Sequence, residues 1–236
     1  MFLIRALFRL IHKLVALAVV LVLALGLFLV YEGYQIYEQA VEETPVQQVM
    51  EQIQSQPHYT TLDNIPQIYC NAVIATEDHR FYIHKGIDVI AITRALLHDI
   101  QAGKMLEGGS TITQQLAKNQ FFTQKKELTR KIAEVFMVRE IEKLYDKEEI
   151  LELYINSIYY GEGYYCIYDA SMGYFGKIPA ELSDSECVLL AGIPNAPSVY
   201  ALTVNEELAR QRQKQVIQDM ITWGYLTKDE AAALAQ

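Results

Sequence analysis

The most regular pattern in the sequence is an unbroken apolar run from Leu14 to Val30. As a helix rising about 1.5 Å per residue, these 17 residues would extend about 26 Å, the short end of what crosses a bilayer core. Tyr31 and Tyr34 follow, where interfacial aromatic residues tend to lie. No A-x-A-type cleavage site follows the run, which disfavours the alternative of a cleaved signal peptide. The pattern therefore predicts an uncleaved transmembrane anchor over residues 14–31.

The charges that flank this run are uneven. Arg5, Arg9 and Lys13 precede it without any acidic residue, whereas Glu32 begins the other side. By the positive-inside rule, residues 1–13 are predicted to be cytoplasmic and the rest to lie outside, in a single-pass protein of the cell membrane. The formal charge of the whole chain is −9, which argues against a nucleic-acid binder.

The polar pattern changes again after the anchor. Residues 32–58 are rich in Gln and Glu and are interrupted by Pro45 and Pro57, which predicts a stalk that is helical in part. From residue 59 to 236 apolar positions recur at helical spacing and no convincing strand pattern appears, so one mostly α domain is predicted. Helix starts are predicted at Asp88, Ser110, Asp146, Ser183 and Thr227, the last three as capping boxes.

The first stretch with candidate chemistry begins at Glu77 and Asp78. They follow a short helix predicted over residues 65–75, whose dipole disfavours a negative charge at its C-terminal end. That effect and the repulsion between the two carboxylates raise a carboxyl pKa, which suits a general base acting on a sugar hydroxyl. The alternative reading is a solvated acidic loop.

The second stretch follows Gly108 and Gly109. Ser110, Gln114 and Lys118 are spaced i, i+4, i+8, so they line one helical face, with Thr111 and Gln115 beside them. Hydroxyl, amide and ammonium groups near a helix N-terminus can cradle sugar and phosphate oxygens. The alternative is an ordinary capped helix with a polar surface.

The third stretch is basic. Arg130, Lys131 and Glu134 share a helical face, and Lys125 and Lys126 lie just upstream. This cluster can hold a diphosphate, although alone it is more typical of a solvated, salt-bridged helix.

Together these stretches resemble the peptidoglycan glycosyltransferases, the family 51 glycosyltransferases, and within them the monofunctional biosynthetic transglycosylases. The family's first motif, E-x-x-x-F-x-x-H-x-G-x-D, is met by Glu77, Phe81, His84, Gly86 and Asp88. The second and third, G-x-S-T-x-x-Q-Q and R-K-x-x-E, are met by Gly108, Ser110, Thr111, Gln114, Gln115, Arg130, Lys131 and Glu134. The fourth, K-x-x-I-x-x-x-Y-x-N, is met by Lys147, Ile150, Tyr154 and Asn156, and the fifth, R-x-x-x-V-L, by Arg212 and Val216, with Ile217 in place of Leu.

The resemblance implies a lysozyme-like helical fold and a defined reaction. The GlcNAc 4-hydroxyl of lipid II would attack a growing glycan chain carried on undecaprenyl diphosphate, forming a β-1,4 bond with inversion. It further implies contacts with the membrane and with proteins of cell-wall synthesis and division. Two other functions stay open, namely a lysozyme-like or lytic cell-wall hydrolase and a non-catalytic scaffold for cell-wall assembly. No S-x-x-K segment of penicillin-binding type follows, so we expect either a monofunctional enzyme or a piece of a bifunctional one.

The resemblance also implies residue roles. Glu77 matches the general base, and Glu134 matches a second catalytic glutamate near the donor diphosphate, often with a divalent metal such as Mg²⁺. Substrate contacts are expected from Asp78, Phe81, Ser110, Thr111, Gln114, Gln115, Lys118, Lys126, Arg130 and Lys131. Structural roles are expected from His84, Gly86, Asp88, Tyr154, Asn156 and Arg212, with His84 a hydrogen-bonding residue and Asp88 a helix cap.

Two residue types outside the motifs add further expectations. The run from Tyr154 to Tyr174 holds seven tyrosines, of which most are predicted to be buried and some could stack against sugars. Cys70, Cys166 and Cys187 lie among apolar residues and are predicted to be buried thiols, one pair of which could form a disulfide.

Overall fold

The structure, a computed structural model, describes residues 2–102, 108–122 and 127–234. These residues form helices and connecting segments, and no β-strand occurs among them. The helices are α1 (Phe2–Glu43), α2 (Val46–Gln54), α3 (Gln67–Glu77), α4 (Val89–Ala102), α5 (Ile112–Phe121), α6 (Leu128–Leu144), α7 (Lys147–Ile155), α8 (Ile167–Phe175), α9 (Asp184–Gly192), α10 (Pro197–Tyr200), α11 (Leu202–Thr222) and α12 (Lys228–Leu234). The prediction of a mostly α fold after a single apolar helix is confirmed.

Helix α1 contains the apolar run but does not end with it. Its 42 residues continue through Tyr31 to Glu43. By length and composition, the part from Arg9 to Glu43 could cross a membrane, and none of it is buried in its most apolar window. The segment from residue 32 to Glu43 is therefore a helical continuation of the apolar run.

The segment predicted as a stalk contributes to the hydrophobic core. Val46, Val49, Met50 and Ile53 of α2 are buried, at the i, i+3, i+4, i+7 spacing of an amphipathic helix. The abundance of Gln and Glu at the other positions hides this pattern in the sequence. These core residues lie N-terminal to the domain boundary predicted at residue 59.

Side chains at the helix starts determine where several helices begin. Asp146 with Glu149, Ser183 with Glu186 and Thr227 with Glu230 form the reciprocal hydrogen bonds predicted for them. Asp88 Oδ1 accepts the N–H groups of Ile90 and Ala91 at 2.9 and 3.0 Å, which confirms its role as a helix cap. The prediction for α5 was wrong by one residue, because Thr111 rather than Ser110 is its N-cap.

The helices of the domain enclose one hydrophobic core. Helix α3 packs against α9 and α11, α5 packs against α6 and α7, and α1 packs along α6. The largest fully buried aromatic side chains of the core are Tyr69, Phe81, Tyr154 and Tyr160. The hydrogen bond from Gln115 to Glu77 joins the C-terminal end of α3 to α5, which in turn packs against α6.

All three cysteines lie within this core as free thiols. Cys70, Cys166 and Cys187 are at most 4% exposed. The prediction of buried thiols is confirmed, and the structure contains none of the disulfides that the sequence left open.

Candidate active site

Glu77 is the last residue of α3, and the two oxygens of its carboxylate have different surroundings. Its Oε2 accepts a hydrogen bond from Gln115 Nε2 at 2.7 Å, whereas its Oε1 is buried without a hydrogen-bond partner among the described residues. Burial raises the pKa of Glu77 and the charge of Asp78 adds to this, while Gln115, Arg212 and Lys118 oppose the shift. Glu77 thus offers one unpaired acceptor oxygen of increased basicity.

The orientation of Gln115 is fixed from its other side. Its Oε1 accepts a hydrogen bond from the hydroxyl of Tyr154, at 3.2 Å, so its amide NH₂ points to Glu77. Tyr154 is fully buried. The motif residues Tyr154, Gln115 and Glu77 therefore form one chain of hydrogen bonds that runs from the core to the carboxylate.

Asp78 lies beside Glu77 but faces the interior. Its carboxylate bonds to His84 Nε2 at 2.9 Å and accepts the backbone N–H of Ile112 at 3.1 Å. These bonds tie the segment after α3 to the start of α5. The hydrogen-bonding role predicted for His84 agrees with this arrangement. Phe81, from the same motif, is fully buried and has Lys147 Nζ 4.5 Å from its ring centroid.

Thr111 and Gln114 are buried as a capping box at the start of α5. Thr111 Oγ1 accepts the N–H of Gln114 at 3.1 Å and donates to the carbonyl oxygen of Gly86 at 2.6 Å. Gly86 has a φ of 77°, and a Cβ there would overlap Val138 of α6. The glycine thus allows the segment after α3 to close on α5 and α6 at once.

The basic cluster surrounds the second glutamate. Glu134 has no exposed surface and pairs with Arg130 and, at 2.8 Å, with Lys131 Nζ. Lys131 Nζ also donates to Ser110 Oγ at 3.0 Å, which joins α6 to the segment before α5. Burial, with the charges of Arg130 and Lys118, lowers the pKa of Lys131 to about 8, against the attraction of the Glu134 carboxylate.

Lys118 connects the two carboxylate regions. It lies one turn beyond Gln114 on α5, and its charge acts on both Glu77 and Lys131. Helix α5 therefore supplies a bridge between the unpaired oxygen of Glu77 and the cations around Glu134. Lys126, the remaining basic residue predicted to bind substrate, lies outside the described residues.

Arg212, from the fifth motif, lies beside the C-terminal part of α3. Arg212 Nη2 donates to Thr76 Oγ1 at 2.9 Å, and its charge opposes the rise in the pKa of the neighbouring Glu77. Asp219 accepts from the same hydroxyl at 3.2 Å. Sequence reasoning missed Thr76 and Asp219; the only signal was the i, i+7 spacing of Arg212 and Asp219, which places them on one face of α11.

Asn156 has a structural role and hydrogen-bonds to the backbone of Thr60. Its side chain accepts the N–H of Thr60 at 2.9 Å and donates to the carbonyl of the same residue at 2.8 Å. It therefore fastens the segment after α2 to the end of α7.

The resemblance implies a divalent metal, and among the described residues one group of side chains is a candidate set of ligands. Asp78, His84 and Asp88 place one ligand atom each within 4.8 Å of one another. However, His84 is bonded to Asp78, and Asp88 pairs with Arg80 Nε at 3.0 Å and caps α4. Mg²⁺ prefers oxygen ligands and retains water, so a closed set containing an imidazole and a guanidinium-paired carboxylate does not fit it. Glu134 is likewise occupied by two side-chain cations.

A cavity of about 400 Å³ lies at the C-terminal end of α5. It is lined by Gln56, Asn119, Gln120, Ser157, Tyr159 and Tyr165. The rings of Tyr159 and Tyr165 are 4.8 Å apart, and both are exposed. Of the seven tyrosines in this run, Tyr154 and Tyr160 are fully buried and these two are available to a ligand.

Comparison with known proteins gives a consistent match. The family model described as Transglycosylase matches residues 42–221. Penicillin-binding protein 1A of Aquifex aeolicus is 46% identical over 73% of this chain and 24% of its own length. A putative transglycosylase of Cupriavidus necator, H16_A0665, is 43% identical over 74% of this chain and 75% of its own length. The crystal structure of penicillin-binding protein 1A from Haemophilus influenzae gives a TM-score of 0.46 at 23% identity, over 75% of this chain and 17% of that one.

The chain spans about a quarter of the length of the Aquifex relative and three quarters of that of the Cupriavidus relative. The family model begins at residue 42, so it includes α2, which the structure also places in the core. Because this model matches well over half of the sequence, the chain belongs to the transglycosylase family.

Proposed function

We propose that this protein polymerises lipid II into β-1,4-linked glycan strands of peptidoglycan. The donor would be the growing chain on undecaprenyl diphosphate, and the acceptor the GlcNAc 4-hydroxyl of lipid II, with inversion at the donor carbon. Membership of the transglycosylase family supports glycan polymerisation in general. The observation that carries the finer proposal is the unpaired, buried oxygen of Glu77 beside a cluster of cations.

Glu77 is the proposed general base. Its Oε1 would accept the proton of the attacking hydroxyl, because Oε2 is already engaged by Gln115. Burial raises the pKa of Glu77, which makes it a stronger base than an exposed carboxylate. We assign supporting roles to Asp78, Phe81, Thr111 and Gln114, because burial and internal bonds occupy their side chains.

The leaving diphosphate develops negative charge as the donor bond breaks, so cations must meet it. Lys118, Arg130 and Lys131 would supply this charge, and Ser110 would add a hydroxyl. In this proposal Glu134 is a positioning residue, because its two ion pairs hold Arg130 and Lys131 side by side. The divalent metal stays a prediction, and no step here depends on it.

The cavity beyond the end of α5 suits a further sugar of the glycan. Asn119 follows Gln115 by one helical turn, about 6 Å along the axis of α5. Exposed aromatic rings and amide groups are well suited to stacking and hydrogen bonding with sugars. We therefore place the strand along α5, from Glu77 towards Tyr159.

The membrane is the proposed location of the protein and its substrates. Helix α1 would be a single-pass anchor with residues 1–13 in the cytoplasm and the helical domain outside. Several large apolar residues of α4 are exposed and would touch the bilayer, namely Val89, Ile90, Leu97 and Ile100. Proteins of cell-wall synthesis and division are the proposed partners.

The test is to supply lipid II in vesicles to the full chain. Polymer is expected, and Glu77→Gln is expected to abolish it while the folded state is retained, with the exposed Glu148→Gln as the matched control. Digestion of finished cell wall without polymerisation would favour the hydrolase instead. Normal cell-wall growth in cells that carry Glu77→Gln and Glu134→Gln would favour the scaffold.

A further inference from the structure

Helices α1 and α6 pack side by side, and three pairs of residues define how they are aligned. A Cβ on Gly33 would lie 2.6 Å from Ile132 Cγ2, so only glycine allows this close approach. Further along, the rings of Tyr34 and Phe136 are 5.3 Å apart, and the Tyr37 hydroxyl donates to Glu140. Since the contacts advance together in both sequences, the two helices run parallel.

This register relates α6 to the apolar run of α1. Gly33 lies three residues beyond Val30, about 4.5 Å along the helix. Its contact Ile132 lies in the second turn of α6, next to Arg130 and Lys131. In an anchored protein the N-terminal turns of α6 therefore lie at the level where the apolar run ends, which is the level of lipid headgroups.

The two faces of α6 have different partners. Ile132, Phe136 and Glu140 contact α1, whereas Arg130, Lys131 and Glu134 form the ion-paired cluster. At 100° per residue, the mean directions of these two sets differ by about 165°. Helix α6 is thus a single rigid layer between the anchor and the cluster, so a displacement of α1 against α6 changes the position of the cluster relative to the bilayer.

We infer that Gly33 and Tyr37 are positioning residues, whose docking on α6 sets the height of the Arg130–Lys131–Glu134 cluster above the bilayer. At that height the cluster meets a diphosphate whose lipid is embedded in the membrane. This inference rests on the proposed function. It assigns no contact with substrate to α1 itself.

The main test changes the height without touching the docked surfaces. Four polar residues inserted between Tyr31 and Glu32 lengthen α1 by about 6 Å. Polymerisation of long-chain lipid II in vesicles is expected to fall at least tenfold, since misplacement by about 1 Å can cost a hundredfold. Turnover of a water-soluble, short-lipid analogue is expected to stay within about twofold, because no membrane fixes its diphosphate. The same four residues inserted before Arg9 serve as the control.

Two substitutions disturb the packing of α1 on α6 without changing the length of α1. Gly33→Leu should lower polymerisation in vesicles and leave the short-lipid reaction unchanged, and Tyr37→Phe should give a smaller effect of the same kind. Equal losses with both substrates, or full activity of the insertion variant in vesicles, would overturn the inference. If the unaltered chain polymerises neither substrate, the proposed function itself fails.

Discussion

The basicity of Glu77 depends on a small number of named neighbours. Burial raises its pKa, and the hydrogen bond from Gln115 is the largest of the opposing effects. The net result is a pKa of Glu77 above the ordinary value of a glutamate carboxyl. Removal of one donor should therefore shift this balance in a known direction.

Gln115→Met tests this at a single residue. The variant loses the N–H donor to the charged form of Glu77, so the pKa of Glu77 should rise further. Because the deprotonated form is active in our proposal, the acidic limb of the pH–rate profile should move to higher pH. The control is Gln39→Met, which removes an exposed amide that donates to the Glu43 carboxylate. An unshifted limb would contradict the assignment of Glu77 as base.

The sequence anticipated the raised pKa of Glu77 but gave it a different main cause. The helix end and Asp78 were visible in the pattern, whereas burial depends on packing between α3, α5 and α11. The contact of Arg212 with Thr76 joins residues 136 positions apart, so no local spacing predicts it. Motif matching placed Arg212 among structural residues, although its charge acts on the candidate base.

At the level of elements, the start of α5 has the most consequences for the site. Thr111 caps the helix and also bonds to Gly86, while Ser110 is left to bond Lys131. The capping pattern predicts this helix start only to within one residue, because either hydroxyl satisfies it. Only the packed structure distinguishes them.

Thr111→Ala should destabilise the domain more than an ordinary lost cap. A cap contributes about 1–2 kcal/mol, and here the buried carbonyl of Gly86 also loses its donor. Thr227→Ala, at the exposed start of α12, is the matched control and should cost about 1 kcal/mol. Chemical denaturation measures both free energies of unfolding. Equal losses would show that the bond to Gly86 contributes nothing.

At the level of the whole molecule, the hydrophobic core begins earlier in the sequence than the change in composition indicates. Met50 and Val46 have no exposed surface, so α2 belongs to the core. The spacing of apolar residues was enough to predict the helical fold, and the uninterrupted run of apolar residues was enough to predict the apolar helix. The role of residues 32–58 was not predictable, because their apolar positions are few and become meaningful only against α7.

Met50→Ala should lower the free energy of unfolding by about 2–5 kcal/mol, as for other fully buried large-to-small changes. Gln48→Ala, on the exposed face of the same helix, should change it by less than about 0.5 kcal/mol. Thermal or chemical unfolding of the full chain distinguishes these outcomes. A loss for Met50→Ala as small as that of the control would mean that α2 is a detached stalk.

The three buried cysteines allow local opening of the domain to be measured by thiol labelling. Burial raises the pKa of the Cys70 and Cys166 thiols to about 11 and that of Cys187 to about 12, so almost no reactive thiolate forms at neutral pH. A maleimide can then modify them only when the surrounding helices separate. The rate of labelling at each cysteine therefore measures how often that part of the domain opens, without any engineered probe.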